Sequence, residues 1–362
     1  MSLKCGIVGL PNVGKSTLFN ALTSASIEAE NFPFCTIKPN QGIVPVPDDR
    51  LNLISDIVNP HSTIPTTTEF VDIAGLVKGA SKGEGLGNQF LSHIRETQAI
   101  IHVIRCFEDE NITHVHEEID PIVDLEVVET ELLLADIEIV SKAKLKLERV
   151  SKSGDKKASE QLEKLVTLES EMGQGILGRN SSVYMNKDKF FRELQLITMK
   201  PCLYIANIAE PKESNPLLKK LEEYSKSKGS RMIALCNQIE AEIAELEKEE
   251  RYEMLNEMKM HEPGLNKLIR ESYSMLNLQT FFTAGPKEVR AWTVKKGITA
   301  PEAAGEIHTD FEKGFIRAET ISYKHFIEFK GEAGAKSAGK LRTEGVDYVV
   351  KDGDIMHFLF NV

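Results

Sequence analysis

The sequence predicts an α/β protein: a mostly parallel, helix-covered sheet that carries an inserted α-helical hairpin and is followed by a smaller α+β module. Strand-like and helical patterns alternate in residues 1–122, which is typical of a parallel sheet. Apolar residues then recur at helical spacing among Glu and Lys. Short strand-like runs separated by turns return near the end of the chain. We therefore predict one domain formed by residues 1–122 and 200–277, an inserted hairpin of residues 123–199, and a C-terminal module of residues 278–362.

The first strand, Lys4–Gly9, runs directly into a glycine-rich loop and a helical pattern. The segment Gly9–Ser16 matches the phosphate-loop pattern GxxxxGK[ST], and its strand–loop–helix setting is the one that the mechanism requires. Main-chain N–H groups and the helix N-terminus would cradle phosphates there. Lys15 would neutralise the β- and γ-phosphate oxygens, and the Ser16 hydroxyl would bind Mg²⁺. We expect a nucleoside triphosphate site that includes Asn12, Val13, Gly14, Lys15, Ser16 and Thr17.

The second strong strand signal, Thr67–Asp72, ends in a DxxG motif that is completed by Gly75. An Asp at this strand end would hold Mg²⁺ through water, and the Gly75 N–H would bind the γ-phosphate. Upstream, Thr36 lies in a loop, at a distance along the chain that suits contact with both the γ-phosphate and the Mg²⁺ ion. The glycine-rich segment at residues 78–87 is typical of a segment that becomes ordered when the γ-phosphate binds. The predicted Mg²⁺ ligands are Ser16, Thr36 and Asp72.

The third strand signal, Ala99–Cys106, precedes the inserted helices. A Lys-rich break at residues 151–157 separates two helical patterns, which predicts an antiparallel helical hairpin or coiled coil. Strand patterns return at Pro201–Asn207 and Met232–Cys236, so the hairpin is predicted to be inserted in one nucleotide-binding domain. The C-terminal module contains short strands, turns and one helix, drawn from the segments Val289–Val294, Thr299–Ile307, Phe311–Phe315, Phe326–Phe329, Tyr348–Val350 and Ile355–Phe360.

These motifs resemble a known family. Residues 1–122 and 200–277 resemble a translation-factor-class G domain. The chain as a whole resembles the YchF family of Obg-like ATPases in four segments: Gly9–Thr17, Asn31–Thr36, Asp72–Ala80 and Asp352–Val362. The resemblance covers essentially the whole chain. It implies ATP as the nucleotide and a C-terminal TGS domain, a β-grasp fold shared with some tRNA synthetases and GTPases, and it supports the inserted helical arm.

The residues that would read the base favour adenine. A GTPase normally carries [NT]KxD after this strand, and its Asp accepts from the guanine N1–H and 2-amino groups. Here Ile208 stands at the Lys position and Glu210 at the Asp position. Adenine has neither of these donors, so losing the Asp geometry removes the discrimination. We predict that Asn207 contacts the adenine edge, that Ile208 packs near the ring and that Phe107 stacks on it. Asn237, in the last base-contacting loop, either touches the base or caps a helix.

Hydrolysis is expected to be slow. Leu76 follows the DxxG motif where many switches place a water-orienting Gln. His114, in a loop after a sheet strand, is the candidate water-positioning residue, and a solvated loop histidine is the alternative. Lys15 and Gly75 complete the predicted catalytic set. Asn12 is a candidate K⁺ ligand, as in some related GTPases, or an ordinary loop residue.

Length and composition limit the number of domains and the class of protein. The 362 residues suggest two or three domains, and no apolar run is long enough to span a bilayer. The chain start leads straight into the glycine-rich loop, which is not the pattern of a signal peptide. Five cysteines form no CxxC pair, so we expect reduced thiols and a cytoplasmic protein. The formal net charge of −11 argues against a general nucleic-acid-binding coat but not against a local basic patch.

Basic residues crowd the tip of the predicted arm: Lys142, Lys144, Lys146, Arg149, Lys152, Lys156 and Lys157. A second basic group comprises Lys336, Lys340 and Arg342. They form either a solvated face with i,i+4 ion pairs or a contact with phosphate backbone. Together with the TGS resemblance, the second alternative predicts binding to the ribosome, in particular its large subunit, or to RNA.

Several functions are compatible with these motifs. The favoured one is a Mg²⁺-dependent ATPase switch on the ribosome that regulates translation or a stress response. An Obg-type GTPase with guanine preference is the main alternative, although [NT]KxD is missing. A metabolic kinase would need an acceptor pocket and an Arg-bearing lid, and the sequence indicates neither. A scaffold that binds nucleotide without hydrolysing it is compatible with Leu76.

Overall fold

The computed structural model of the chain describes residues 3–24, 40–73, 86–115, 118–152, 154–183, 189–210 and 215–361. Its strands are β1 (Lys4–Val8), β2 (Gln41–Pro45), β3 (Ser62–Ile64), β4 (Thr67–Asp72), β5 (Ala99–Arg105), β6 (Cys202–Asn207), β7 (Arg231–Leu235), β8 (Leu278–Ala284), β9 (Glu288–Lys295), β10 (Phe315–Ser322), β11 (Arg342–Glu344) and β12 (Asp354–Phe360).

The helices fall between these strands. They are α1 (Lys15–Ser24), α2 (Asp49–Val58), α3 (Leu86–Glu96), α4 (Pro121–Ser151), α5 (Lys156–Gly173), α6 (Lys189–Glu193), α7 (Pro216–Ser227), α8 (Asn237–Glu245), α9 (Lys248–Glu257), α10 (Gly264–Met275), α11 (Ala300–Ile307), α12 (Thr309–Lys313), α13 (Tyr323–Glu328) and α14 (Glu332–Ser337). No helix in the described part of the chain is both long and apolar enough to cross a membrane.

The first sheet is mostly parallel, as the sequence predicts. Its strand order is β2-β4-β1-β5-β6-β7, and only β2 runs antiparallel to its neighbour. Strand β5 is buried along its whole length, as expected for a strand covered on both faces. Parallel strands place their carboxyl ends at one edge, so the residues that follow β1, β5 and β6 meet there.

The inserted helical hairpin is also confirmed. Helix α4 begins at Pro121 behind an Asp120 cap, and α5 begins behind an Asp155 cap, each aspartate accepting main-chain N–H bonds of the first turn. The two helices share an apolar core that includes Val140 and Leu165. Glu169 of α5 accepts hydrogen bonds from the Ser141 hydroxyl and the Lys144 ammonium of α4.

The second sheet has the order β11-β10-β12-β8-β9-β3 and is mixed. Strand β3 and helix α2 come from residues early in the chain, yet β3 pairs with β9 and Ile54 of α2 packs in the core of this sheet. Thr66 also bonds Thr293 across this junction. The sequence did not reveal this connection, and the predicted domain limits stay a prediction.

The described C-terminal module has helices in two of its predicted segments in addition to the one helix, α11, that the sequence indicates. Phe311 lies in helix α12, and Phe326–Phe329 lies in and directly after helix α13. Both segments are short apolar runs, and periodicity alone does not distinguish strand from helix at that length. Strand β10 begins at Phe315 and continues to Ser322, beyond the predicted segment.

Candidate nucleotide-binding site

The glycine-rich loop joins β1 to α1 in a conformation that needs its glycines. Gly9 and Gly14 have φ values of 155° and 95°. A Cβ on Gly14 would collide with the Asn207 amide, in a backbone region that other residues rarely adopt. Lys15 Nζ donates to the Leu10 carbonyl at 2.6 Å, so its side chain folds over the loop. The loop therefore has the closed shape that wraps a phosphate.

Burial lowers the pKa of Lys15 to about 8, and the Asp72 carboxylate opposes that shift. Bound phosphate oxygens would raise this pKa again by favouring the charged ammonium. Nucleotide binding would therefore be coupled to proton uptake at any pH above about 8.

Titration of Lys15 should therefore leave the affinity for nucleoside triphosphate independent of pH below about pH 8 and lower it, by up to about tenfold per pH unit, as the pH rises above that value. Equilibrium titrations between pH 7 and pH 10 measure this. Lys15→Arg is the control, because its guanidinium stays charged over the whole range. A flat profile for the wild-type protein would contradict the prediction.

The metal side of the site lies at the end of β4. Ser16 Oγ donates to Asp72 Oδ2 at 3.2 Å, which joins two of the three predicted Mg²⁺ ligands. Asp72 Oδ1 is buried and has no hydrogen-bond partner among the described residues. An unpaired buried carboxylate oxygen beside a hydroxyl fits a hard, hydrated cation. The third predicted ligand, Thr36, and the predicted catalytic Gly75 lie outside the described residues, as does Leu76.

Two asparagines join the base side of the site to the phosphate loop. Asn207 Nδ2 donates to the Val13 carbonyl at 2.9 Å, and Asn207 Oδ1 accepts from the Asn237 N–H. Asn237 Nδ2 donates to the Gly14 carbonyl at 3.1 Å. Both ends of the Asn207 amide are thus engaged with protein, so its predicted contact with adenine stays a prediction. Asn237 is buried at the start of α8, while the residue in the capping position is Cys236.

A cavity of about 540 Å³ opens above the phosphate loop. Eight of the predicted nucleotide-binding residues line it: Asn12, Gly14, Lys15, Ser16, Thr17, Phe107, Asn207 and Ile208. Val13 is buried behind the loop, and Glu210 is exposed without lining the cavity. The remaining wall comprises Glu108, Asp109, Ile112, Ala209, Cys236, Asn237 and Gln238, which follow β5, β6 and β7.

His114 is neither in this cavity lining nor solvated. Its side chain is only 5% exposed, and Nε2 lies 3.0 Å from Asp124 Oδ1 in the first turn of α4. The expectation of a solvated loop histidine is therefore wrong, because the loop folds back under α4. Its predicted catalytic role stays a prediction, and in that role the imidazole would have to leave Asp124.

Sequence reasoning missed Arg105. This residue ends β5, is 1% exposed, and donates to main-chain carbonyls of the loop that walls the cavity. The signal in the sequence is a charged residue at the end of a strand whose other residues are apolar except for His102, and this does not reveal what the side chain contacts.

A phosphate loop between β1 and α1, a buried lysine folded over it and a Ser–Asp pair at the end of the neighbouring β4 define a P-loop nucleotide-binding protein with a G-domain fold. Residues 4–135 match the family model described as "50S ribosome-binding GTPase". Residues 278–361 match the model YchF-GTPase_C, which is described as a protein of unknown function.

Full-length relatives make the assignment specific. "Ribosome-binding ATPase YchF" of Escherichia coli O157:H7 is 57% identical over 100% of both chains. The protein of the same name from Bacillus subtilis (strain 168) is 53% identical over 100% of both chains. The "Structure of the Schizosaccharomyces pombe YchF GTPase" superposes with a TM-score of 0.90 at 37% identity, over 99% of this chain and 98% of that one. The chain belongs to the YchF family.

Proposed function

We propose that this chain is a Mg²⁺-dependent ATPase switch that acts on the ribosome in the cytoplasm, prefers ATP to GTP and turns over slowly without a partner. The observation that carries the base preference is the end of β6. Asn207 bonds the phosphate loop, Ile208 lines the cavity and Glu210 is exposed and does not line it. The carboxylate that a guanine reader needs is therefore not in the cavity wall.

The names of relatives support both hydrolysis and ribosome binding, but they disagree about the base. The bacterial relatives are named ATPases, whereas the fission yeast structure is titled a GTPase. Equilibrium binding of labelled ATP and GTP analogues with Mg²⁺ decides between them. We expect at least a tenfold preference for ATP, about 1.4 kcal/mol. Preference for GTP would support the Obg-type GTPase, and equal affinity would also refute the proposed selectivity.

The Mg²⁺ ion would be held by Ser16 and, through water, by Asp72, with Thr36 as the third predicted ligand. When bound, it neutralises charge on the β- and γ-phosphate oxygens. Ser16 and Asp72 would orient it, and Lys15 would add a second positive charge from the phosphate loop. K⁺ dependence through Asn12 is a separate proposal, tested by comparing turnover in KCl and NaCl. Asn12 Nδ2 contacts the Thr113 carbonyl, so its oxygen end is the one that would face K⁺.

The absence of a Gln after the DxxG motif supports slow intrinsic turnover. His114→Ala separates slow catalysis from pure binding. If His114 orients water after leaving Asp124, we expect turnover to fall while nucleotide affinity is retained. A protein with no measurable hydrolysis before the substitution would be a scaffold instead.

The proposed ribosome contact is the tip of the helical arm. Lys142 is exposed and pairs with Glu138 on the same helix, and Lys144 pairs with Glu169. Arg342 of the second basic group likewise pairs with Glu344 and lies near Asp354. Besides Lys142, the exposed basic residues of the group at the arm tip are Lys146, Arg149, Lys152, Lys156 and Lys157. Such a cluster suits phosphate backbone, as on the large ribosomal subunit or free RNA.

Replacing Lys152, Lys156 and Lys157 by alanine is expected to weaken ribosome binding and to flatten its dependence on salt by about 0.7–0.9 log unit for each phosphate group that the arm no longer neutralises. Cosedimentation with ribosomal subunits over a salt series measures both quantities. Lys142→Ala is the matched control on the same arm, because Lys142 is already paired with Glu138. An equal effect of the control, or an unchanged salt slope, would argue against phosphate binding at the tip.

A further inference from the structure

We infer that Arg105 is a positioning residue for nucleotide binding. It holds residues 107–113 as a fixed wall beside the base and ribose, and it acts through that loop without touching the nucleotide. The inference rests on the proposed nucleotide site but not on which base the site prefers.

Arg105 fixes the loop by hydrogen bonds to its main-chain carbonyls. Its guanidinium donates from Nε to the Phe107 carbonyl at 3.0 Å, from one terminal nitrogen to the Ile112 carbonyl at 3.0 Å, and from the other to the Asp109 carbonyl at 3.1 Å. The three acceptors span the whole turn of the loop. The three hydrogen bonds are partly buried, and main-chain carbonyls that lose water need such partners. This side chain thus supplies bonds that helices and strands supply elsewhere.

The same loop is held from its outer side as well. The Phe107 ring lies over the guanidinium, with its centroid 4.6 Å from the Arg105 Cζ atom. At the other end of the loop, Asn12 Nδ2 of the phosphate loop donates to the Thr113 carbonyl at 3.1 Å. The loop is thus fixed to β5 by Arg105 and to the phosphate loop by Asn12.

The chemistry of this arrangement requires arginine. Burying a cation is costly unless its donors are satisfied, and at 1% exposure Arg105 obtains its hydrogen bonds from the loop carbonyls. A planar fork donates from three separate nitrogens and can reach carbonyls that are spread along the loop, whereas a lysine ammonium donates from a single atom on a flexible stem. The loop conformation and the buried charge therefore depend on each other.

The position of residues 107–113 in the cavity indicates which part of the nucleotide they would contact. Phe107 and Ile112 give the cavity an apolar side, together with Ile208. The phosphate-binding groups, Lys15 and Ser16, belong to a different loop. A defect in the wall should thus weaken binding of the nucleoside part and spare binding of the triphosphate part.

The test compares a non-hydrolysable ATP analogue with inorganic tripolyphosphate as ligands of full-length Arg105→Lys and Arg105→Met variants. We expect both variants to bind the nucleotide at least tenfold more weakly and to bind tripolyphosphate within twofold of the wild type. Equal loss for both ligands would mean general damage to the site, and no loss for either would mean that the wall does not need Arg105. Either result overturns the inference.

Two further variants keep the test decisive if one substitution impairs folding. Arg95→Lys is the matched control, because Arg95 also donates to main-chain carbonyls, those of Ala135 and Gln195, and does not line the cavity. Phe107→Ala should reproduce the selective loss, and adding Arg105→Lys to it should cost little more. If the two substitutions instead weakened nucleotide binding additively, Arg105 would not act through this loop. A wild-type preference for GTP would overturn only the proposed function, since the comparison then uses the GTP analogue.

Discussion

Replacing Lys15 by methionine is expected to lower nucleoside triphosphate hydrolysis by about 10²–10³-fold. Lys15 is buried in the phosphate loop, and its ammonium is already positioned by the Leu10 carbonyl at 2.6 Å. A preorganised charge of this kind stabilises the phosphate oxygens without reorganisation during the reaction. Single-turnover phosphate release at saturating nucleotide measures the effect on the chemical step, and a binding titration measures the effect on affinity.

Lys200→Met is the matched control for this experiment. Lys200 is also largely buried, its pKa is also lowered to about 8 by burial, and its ammonium also donates to main-chain carbonyls, those of Ile94, Arg95 and Thr97. It does not line the nucleotide cavity. We expect this variant to lose stability and to keep its hydrolysis rate. Hydrolysis by Lys15→Met within threefold of the wild type would rule out the role assigned to Lys15.

The second large effect concerns the junction between the two sheets. Ile54→Ala in α2 is expected to lower the free energy of unfolding by about 2–5 kcal/mol, the usual range for truncating a buried isoleucine. Ile54 is fully buried and shares a core with Phe282 and Val289 of the second sheet. The loss should therefore appear in the unfolding of that sheet, although Ile54 lies within the residues predicted to form the nucleotide-binding domain.

Trp292, the single tryptophan, lies in β9 and reports on the second sheet in urea titrations followed by fluorescence. Leu53→Ala, one residue away on the same helix, is the control, since Leu53 is 46% exposed and should cost less than about 0.5 kcal/mol. Similar midpoints for Ile54→Ala and the wild type would show that α2 does not support the second sheet.

The sequence by itself determined the parallel sheet, the phosphate loop and the helical arm. Each depends on residues that are close along the chain. The pattern Gly9–Ser16 joins a strand to a helix, the strand Thr67–Asp72 ends in the carboxylate predicted to bind the metal, and apolar residues at helical spacing define α4 and α5. Local propensity and periodicity specify such elements directly, and eight predicted nucleotide-binding residues line one cavity as a result.

Tertiary structure alone decided which side chains become partners where the local pattern is silent. Arg105 could be assigned to a strand but not to the three carbonyls that it bonds, because a loop conformation is not encoded by periodicity. His114 is a buried partner of Asp124, and α2 packs in the core of the second sheet. In each case a side chain's partner is set by how the elements pack, and packing depends on the whole chain rather than on the local sequence pattern.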